Sequence, residues 1–483
     1  MSNKKFYITT AIDYVNAKPH IGHAYQKIIA DAIARWHKLQ GKPVFFLTGT
    51  DEHGKKVALA ADKAKQSPKT FTDNLSKKFK DAWKELNVIP NRFIRTTDPD
   101  HASVVNKITK KINDAGDIYK GTYEGLYCTD CEAYYTKFEA KNSECPIHQK
   151  SLENLKEETY FFKLSKYKDF LLDHYKKNPE FILPKERKKE IINRIKEGLK
   201  DLSITRTSIT WGIPFPLNNK HVFYVWFEAL INYYTATQTP KNKKFWPADL
   251  HILGVDNMWF HTVIWPAMLK SARIELPKSV FNHGFLKFNG QKISKSLGNA
   301  ISPKTLVSKY GTDTVRYFCL RHFPFGQEGD FEEKALVERH NNELANKLGN
   351  LVSRVSALAE KHGLIISKPK IEVVTDNIIK DISESMDNLE LDKALNKIFR
   401  FIDTLNEIIQ SEKPWEKSKT ESAKDLYELA SGIKVVTILL SPFLPETCEK
   451  IAKTFNFSLT LKQLKSQLKT TKIKKSEILF KKI

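Results

Sequence analysis

A chain of 483 residues is too long for one ordinary domain, and 41% apolar residues exclude a disordered polymer, so several packed modules are expected. Its 79 basic against 56 acidic residues leave a charge of +23, which favours a polyanionic partner, nucleic acid or an anionic membrane. A coding bias toward Lys, Asn and Ile would inflate the same number, so charge alone leaves that choice open.

The first apolar run, residues 6–10, leads straight into a motif and leaves no room for a cleaved leader. It reads as a strand from Lys5. Helical spacing follows over residues 20–39, with Ile21, Ile28, Ile29, Ala32, Ile33, Trp36 and Leu39 on one face. Gly41-Lys42-Pro43 stops the helix, and residues 44–48 form a second buried strand. Strand, helix and strand in that order imply a parallel α/β sheet with ligands at the strand C-termini. Between residues 118 and 210 cysteines, turns and a Lys/Glu-rich helix interrupt this rhythm, as an inserted domain would. The alternation is expected to resume at Phe223-Tyr224-Val225-Trp226 and at Leu250-His251-Ile252-Leu253. From Glu332 the pattern is helical, and the Lys-rich tail reads either as a docked helix or as a loose end. The apolar stretch 435–444 is broken by Pro442 and too short for a bilayer. Five cysteines without a leader argue against a disulfide framework and for a reducing cytoplasm.

Three constellations carry chemistry. Pro19-His20-Ile21-Gly22-His23 puts two imidazoles at a helix start, beside unsatisfied N–H groups that suit phosphate. Gly22 would let a ring approach the backbone closely. Alone, the motif fits two surface histidines capping a helix equally well. Lys292-Ile293-Ser294-Lys295-Ser296, between Gly290 and Gly298, can carry two ammonium groups onto a triphosphate, although such a pentapeptide is weak evidence in a Lys-rich chain. Cys128-Thr129-Asp130-Cys131 and Cys145-Pro146-Ile147-His148 have the half-site spacing of one closed, structural Zn²⁺ site.

Taken together and in this order, the HIGH and KISKS segments resemble the two-part signature of the class I aminoacyl-tRNA synthetases. Thr48-Gly49-Thr50-Asp51-Glu52-His53-Gly54 resembles the methionyl family, as does the run 13–19 leading into HIGH. Tyr224-Val225-Trp226-Phe227-Glu228-Ala229-Leu230-Ile231-Asn232-Tyr233 and Leu253-Gly254-Val255-Asp256-Asn257-Met258-Trp259-Phe260-His261 match as well. The resemblance runs from the N-terminus to about Trp415. It implies a class I Rossmann-like α/β catalytic domain, an inserted zinc-knuckle connective domain and an all-α anticodon-binding bundle. The corresponding boundaries are 1–118 and 209–290 for the catalytic halves, 119–208 for the insert and 291–335 for the KMSKS-loop and stem-contact region. The bundle spans 336–460 and the tail 461–483.

The resemblance further implies ATP, with Mg²⁺, and methionine as substrates. His20, His23, Lys292 and Lys295 would be catalytic, and Gly22, Asp256, Ser294 and Ser296 would hold ATP. Ile12, Asp51, Arg206, Trp226, Ala229, Tyr233, Phe260 and His261 would hold methionine, Asp51 taking the ammonium and Arg206 the acidic end. A thioether suits such aromatic walls. An insert of this size is too small for the editing domain of the related branched-chain enzymes. Asn346, Asn350 and Arg354 are four apart, on one helix face, and Trp415 follows a second long helix. Asn350, Arg354 and Trp415 match positions that recognise a CAU anticodon, so a methionine tRNA, the initiator included, is the expected partner, charged on the 2′-hydroxyl. Two departures stand out: Glu228 replaces the usual Asp, and Val255-Asp256-Asn257 replaces Lys-Asp-Ile. No counterpart of the extra C-terminal barrel of some relatives is expected, and a monomer without membrane attachment is expected. The rivals are a ligase for another amino acid, a tRNA-binding protein without chemistry, and a nucleotidylyltransferase; the last leaves the helical region unexplained.

Overall fold

The structure, a computed structural model, describes residues 4–128, 133–135, 140, 143–146, 149–293, 300–367, 372–464 and 466–483, without the side chains of 133–135, 155, 292 and 372–375. Among the described residues the central sheet has seven strands, all parallel. In spatial order they are Arg92–Arg95, Val44–Asp51, Phe6–Thr10, Leu250–Gly254, Val280–His283 and Ile182–Leu183. Asp13–Tyr14 pairs with the far end of Val44–Asp51. Every residue of Val44–Asp51 is buried, as a parallel strand covered on both faces requires. Alternate side chains go to opposite cores. Ile8 and Phe46 join the core under helix Ile21–Leu39, whereas Tyr7, Phe45 and Leu47 join the one that holds Val105 and Trp265.

Helix Ile21–Leu39 returns the chain to one side of Phe6–Thr10, while Leu250–Gly254 lies on the other. The C-terminal end of Phe6–Thr10 is therefore a switch point, where ligands of such sheets bind. The HIGH segment follows it directly.

The region 119–208 is built in two parts. Ile118–Cys128 pairs antiparallel with Ala133–Tyr135 and Glu153–Phe162, and Leu202–Ser203 extends that sheet. Helices Lys168–Lys177 and Lys185–Glu197 follow, and between them Ile182–Leu183 leaves the insert to join the central sheet. The expected strand at Phe223–Trp226 takes a different form. Val222–Phe223 pairs with Thr205–Arg206 outside the central sheet, and Val225–Ala229 turns into a helix. A short apolar run satisfies both periods, and here the helical one won.

From Glu333 the chain is helical. Glu333–Arg339, the π-helical stretch His340–Gly349 and Asn350–His362 run on from one another. Glu372–Asp387, Leu391–Glu412, Lys419–Leu440 and Pro445–Phe455 complete the bundle. Beyond the short helix Leu461–Leu464 the tail is docked but extended, neither a long helix nor loose. Leu468 and Ile473 are buried, Ser476 N–H donates to Ser356 Oγ at 3.0 Å, and His340 Nε2 meets the Lys481 carbonyl at 2.7 Å. No helix of the described residues is long and apolar enough to cross a membrane.

Candidate active site

His20 is the N-cap of helix Ile21–Leu39. Its Nδ1 accepts from Gly22 N–H at 3.2 Å, and His23 Nδ1 accepts from His20 N–H at 3.2 Å. The two imidazoles thus close a reciprocal cap, their ring centroids 3.8 Å apart. The first turn holds no acidic residue, so the helix's own first turn leaves the positive end of its dipole uncompensated. A Cβ on Gly22 would sit 3.0 Å from His20 Cε1 and 3.5 Å from Ile293 Cδ1. The HIGH turn and the KISKS segment therefore meet at Gly22.

A tight hairpin presents KISKS. Leu286–Phe288 pairs antiparallel with Gln291–Lys292, and the connecting Asn289 and Gly290 have φ of 48° and 76°. Two successive positive φ values make the turn whose twist matches a hairpin, and Gly290 N–H is anchored on Asp330 Oδ2 at 2.6 Å. Ser294, Lys295 and Ser296 lie outside the described residues, as does the side chain of Lys292.

Asp256 follows strand Leu250–Gly254 at the other side of the switch point. Gly254 leaves room for it: a Cβ there would meet Asp256 Oδ1 at 2.6 Å and His283 Cε1 at 3.8 Å. His283 was not foreseen. Its Nδ1–H donates to the Gly284 carbonyl at 2.8 Å, and its Nε2 lies 3.3 Å from Gln26 Nε2, from which it accepts. Burial pushes its pKa down to about 4. Gln26 Oε1 in turn accepts from Lys27, which is fully buried and also bonded to the Ala11 carbonyl and, at 2.6 Å, to Asp13. Burial pulls both charges of that pair toward neutrality, raising Asp13 to about 6, while their mutual attraction opposes it. A lysine beside Ile28 and Ile29 was the available sequence signal, because a charge that deep requires a partner.

Next to this site the structure gathers the expected methionine residues. Trp226 and Phe260 stack at 4.1 Å with planes 10° apart, both half-buried. Tyr233 is buried, and its hydroxyl donates to His261 Nε2 at 2.7 Å. His261 Nδ1–H donates to the Asn257 carbonyl at 2.9 Å, which fixes the neutral tautomer; burial holds the ring at about 4. Phe260–Ile264 is a π-helical turn, a form that recurs at functional sites. Asp51 is 3% exposed at the end of its strand, and its charge adds to burial in raising the Tyr233 phenol. Ala229 is buried, and Ile12 is half-buried against the same core. Arg206 sits on the seam with the insert. It donates to Ser203 Oγ at 2.9 Å and the Thr205 carbonyl at 2.7 Å, and lies 4.3 Å over the Tyr224 ring.

Glu228 lies between two histidines. It is fully buried, and its two oxygens accept from His53 Nδ1 and His101 Nε2, each at 2.8 Å.

Cys128 ends strand Ile118–Cys128 and is 4% exposed, while Cys145 is 1% exposed in a turn closed by Gln149 N–H on its carbonyl at 2.8 Å. Buried thiols at a strand end and in a tight turn fit a zinc knuckle. Cys131 and His148 lie outside the described residues, and among those described no group of three or more His, Cys, Asp or Glu is placed to hold a metal ion.

Far along the chain, the Arg354 guanidinium lies 5.3 Å over the Trp415 ring, and Trp415 is 41% exposed. Asn350 is exposed one turn earlier on the same helix. Asn346, also exposed, falls in the π-helical stretch that runs into this helix.

The profile described as tRNA synthetases class I (M) matches residues 6–151 and 137–356, and that of the anticodon-binding domain of tRNA ligase matches 370–482. A methionine--tRNA ligase of Caldanaerobacter subterraneus subsp. tengcongensis is 44% identical over 99% of this chain and 79% of its own length. That of Bacillus subtilis is 40% identical over 99% and 78%. The Mycobacterium tuberculosis methionyl-tRNA synthetase in complex with methionyl-adenylate superposes with a TM-score of 0.94 at 37% identity, covering 99% of both chains. With the HIGH turn, the hairpin that meets it and the helical bundle all in place, the chain belongs to the methionyl family of class I tRNA synthetases.

Proposed function

We propose that this chain is a methionine--tRNA ligase. It joins L-methionine to ATP as methionyl-adenylate, releasing pyrophosphate. It then transfers the methionyl group to the 2′-hydroxyl of the terminal adenosine of a methionine tRNA, the initiator included. The observation that carries the reading is the meeting of Gly22 with Ile293 at the switch point, beside the Trp226–Phe260 stack.

A methionine carboxylate oxygen attacks the α-phosphorus in line, and the bond to the bridging oxygen of pyrophosphate breaks. His20 and His23 hold the triphosphate at the helix N-terminus, and Gly22 admits the adenine. Asp256 takes the ribose hydroxyls. Lys292 and Lys295 meet the charge that develops on the leaving group, with Ser294 and Ser296 beside them. Mg²⁺ arriving with ATP would neutralise part of the same charge. Asp51 receives the substrate ammonium, and Arg206 faces the acidic end. The thioether lies among Ile12, Trp226, Ala229, Tyr233 and Phe260. Tyr233 and His261 form a fixed polar pair at its end, because the phenol proton is already committed to the imidazole.

Cys128, Cys131, Cys145 and His148 would hold one structural Zn²⁺, which braces the insert when bound. Freshly purified, untreated protein is expected to contain one zinc per chain; finding none would remove the knuckle. Asn350, Arg354 and Trp415 read the CAU loop, Trp415 stacking on an unpaired base. We read the enzyme as a cytoplasmic monomer. Charging labelled methionine onto a CAU transcript, and failure to charge the same transcript with another anticodon, tests the whole reaction.

A further inference from the structure

Asp51 and Trp226 stand on different elements, 175 residues apart along the chain through His53 and Glu228, yet one substrate must touch both. Asp51 is two residues before His53, at the end of Val44–Asp51. Trp226 is two residues before Glu228, on the turn Val225–Ala229. The bond from His53 Nδ1 to Glu228 Oε1, 2.8 Å long, is a direct link between these two arms.

We propose that Glu228 is a positioning residue for methionine: bridging His53 and His101, its carboxylate clamps the arm carrying Asp51 to the arm carrying Trp226 and Ala229. The inference rests on the methionine reading above and assigns a role to a residue that does not touch the substrate.

The surroundings leave the clamp little slack. Glu228 and His101 are fully buried and His53 is 6% exposed, so no water competes for these bonds. His101, on helix Pro99–Asp114, also contacts Thr235 Oγ1 at 3.1 Å. Trp211 packs edge-on against His53 and donates to the Glu52 carbonyl at 2.6 Å. The Tyr14 hydroxyl donates to the His53 carbonyl at 2.9 Å, and Arg95 grips Glu52 with bonds of 2.7 and 2.8 Å. Trp211, Tyr14 and Arg95 thus hold the arm carrying Asp51, and Glu228 ties it to the arm carrying Trp226. Burial pushes its carboxyl up, but the His53 charge and the bonds from both histidines hold it below the ordinary range.

The test is methionine-dependent ATP–pyrophosphate exchange, with active sites titrated, on the full-length protein and three variants. Glu228→Gln and His53→Gln are expected to raise KM for methionine about tenfold, the effect of losing one buried charge-assisted hydrogen bond. KM for ATP, and kcat at saturating methionine, should stay within about twofold, because the reacting atoms are untouched. His101→Gln leaves the bond between the arms in place and should keep KM for methionine within about twofold, even if its Tm falls. An unchanged methionine KM in Glu228→Gln and His53→Gln overturns the clamp while leaving the methionine reading intact. So does an equal rise in His101→Gln, which would mark a general core effect. Wild-type protein that fails to exchange with methionine overturns both.

Discussion

His20 and His23 show how much one turn of sequence can specify. The two imidazoles close one reciprocal cap, and an incoming triphosphate meets two half-buried rings at a helix start whose first turn holds no acidic residue. Lys295→Ala is expected to lower the rate of adenylate formation by a factor worth about 3–4 kcal/mol of transition-state stabilisation, read from pre-steady-state exchange. An unchanged rate would strip Lys295 of its role. His283 makes a second prediction, in pH. Burial holds it at about 4 in the folded chain against an ordinary 6.5. As pH falls through that window the unfolded chain takes up a proton and the folded chain does not, so stability is lost on acidification and levels off below about 4. In His283→Gln the slope of unfolding free energy against pH, from urea melts across that window, should shrink by up to ~1.4 kcal/mol per pH unit. Equal slopes would contradict the buried neutral imidazole. The HIGH histidines were legible because motif and helix start coincide. His283 was not, because its partner Gln26 lies far away in sequence and meets it only through the fold.

Among the elements, the strand and helix of residues 6–39 were readable because each obeys a single period. Phe223–Trp226 was not, since its aromatic run fits a strand and a helix alike and the contacts with Thr205–Arg206 decide. Nor could the sequence place Ile182–Leu183 in the central sheet, since pairing with Val280–His283 is a matter of topology rather than pattern. Spacing placed Asn350 and Arg354 on one helix, and the fold brings Trp415 against Arg354. Helix Leu391–Glu412 ends at Lys413 in the left-handed region and swings Trp415 under Arg354 of helix Asn350–His362. Arg354 keeps the exposed indole in place, leaving an aromatic face on which a base can stack. Trp415→Ala should raise KM for tRNA roughly 10- to 100-fold, the range for one stacked base, with exchange in the absence of tRNA unchanged. A tRNA KM equal to wild type would move anticodon reading elsewhere.

At the scale of the molecule, one buried arginine joins the catalytic sheet to the helical region. Arg316, on helix Thr312–Arg321, is fully buried and pairs with Asp31 of helix Ile21–Leu39 at 2.8 Å. It also donates to the carbonyls of Leu86, Asn87, Pro442 and Phe443 at 3.1–3.3 Å. The helix begun by HIGH, helix Thr312–Arg321 and the bundle therefore share one guanidinium. Its sequence neighbours gave no hint of this, because all five acceptors are distant in sequence. Arg316→Ala leaves Asp31 short of a buried partner and should cost about 3–5 kcal/mol in urea unfolding; a loss below about 1 kcal/mol would show that the junction is wet or redundant. The account as a whole stands on the amino acid that is activated. Pyrophosphate exchange into ATP, run without tRNA across all twenty amino acids, measures that directly. Exchange with methionine alone is the expected result. Exchange with a different amino acid, or none from folded, zinc-replete protein, would contradict it.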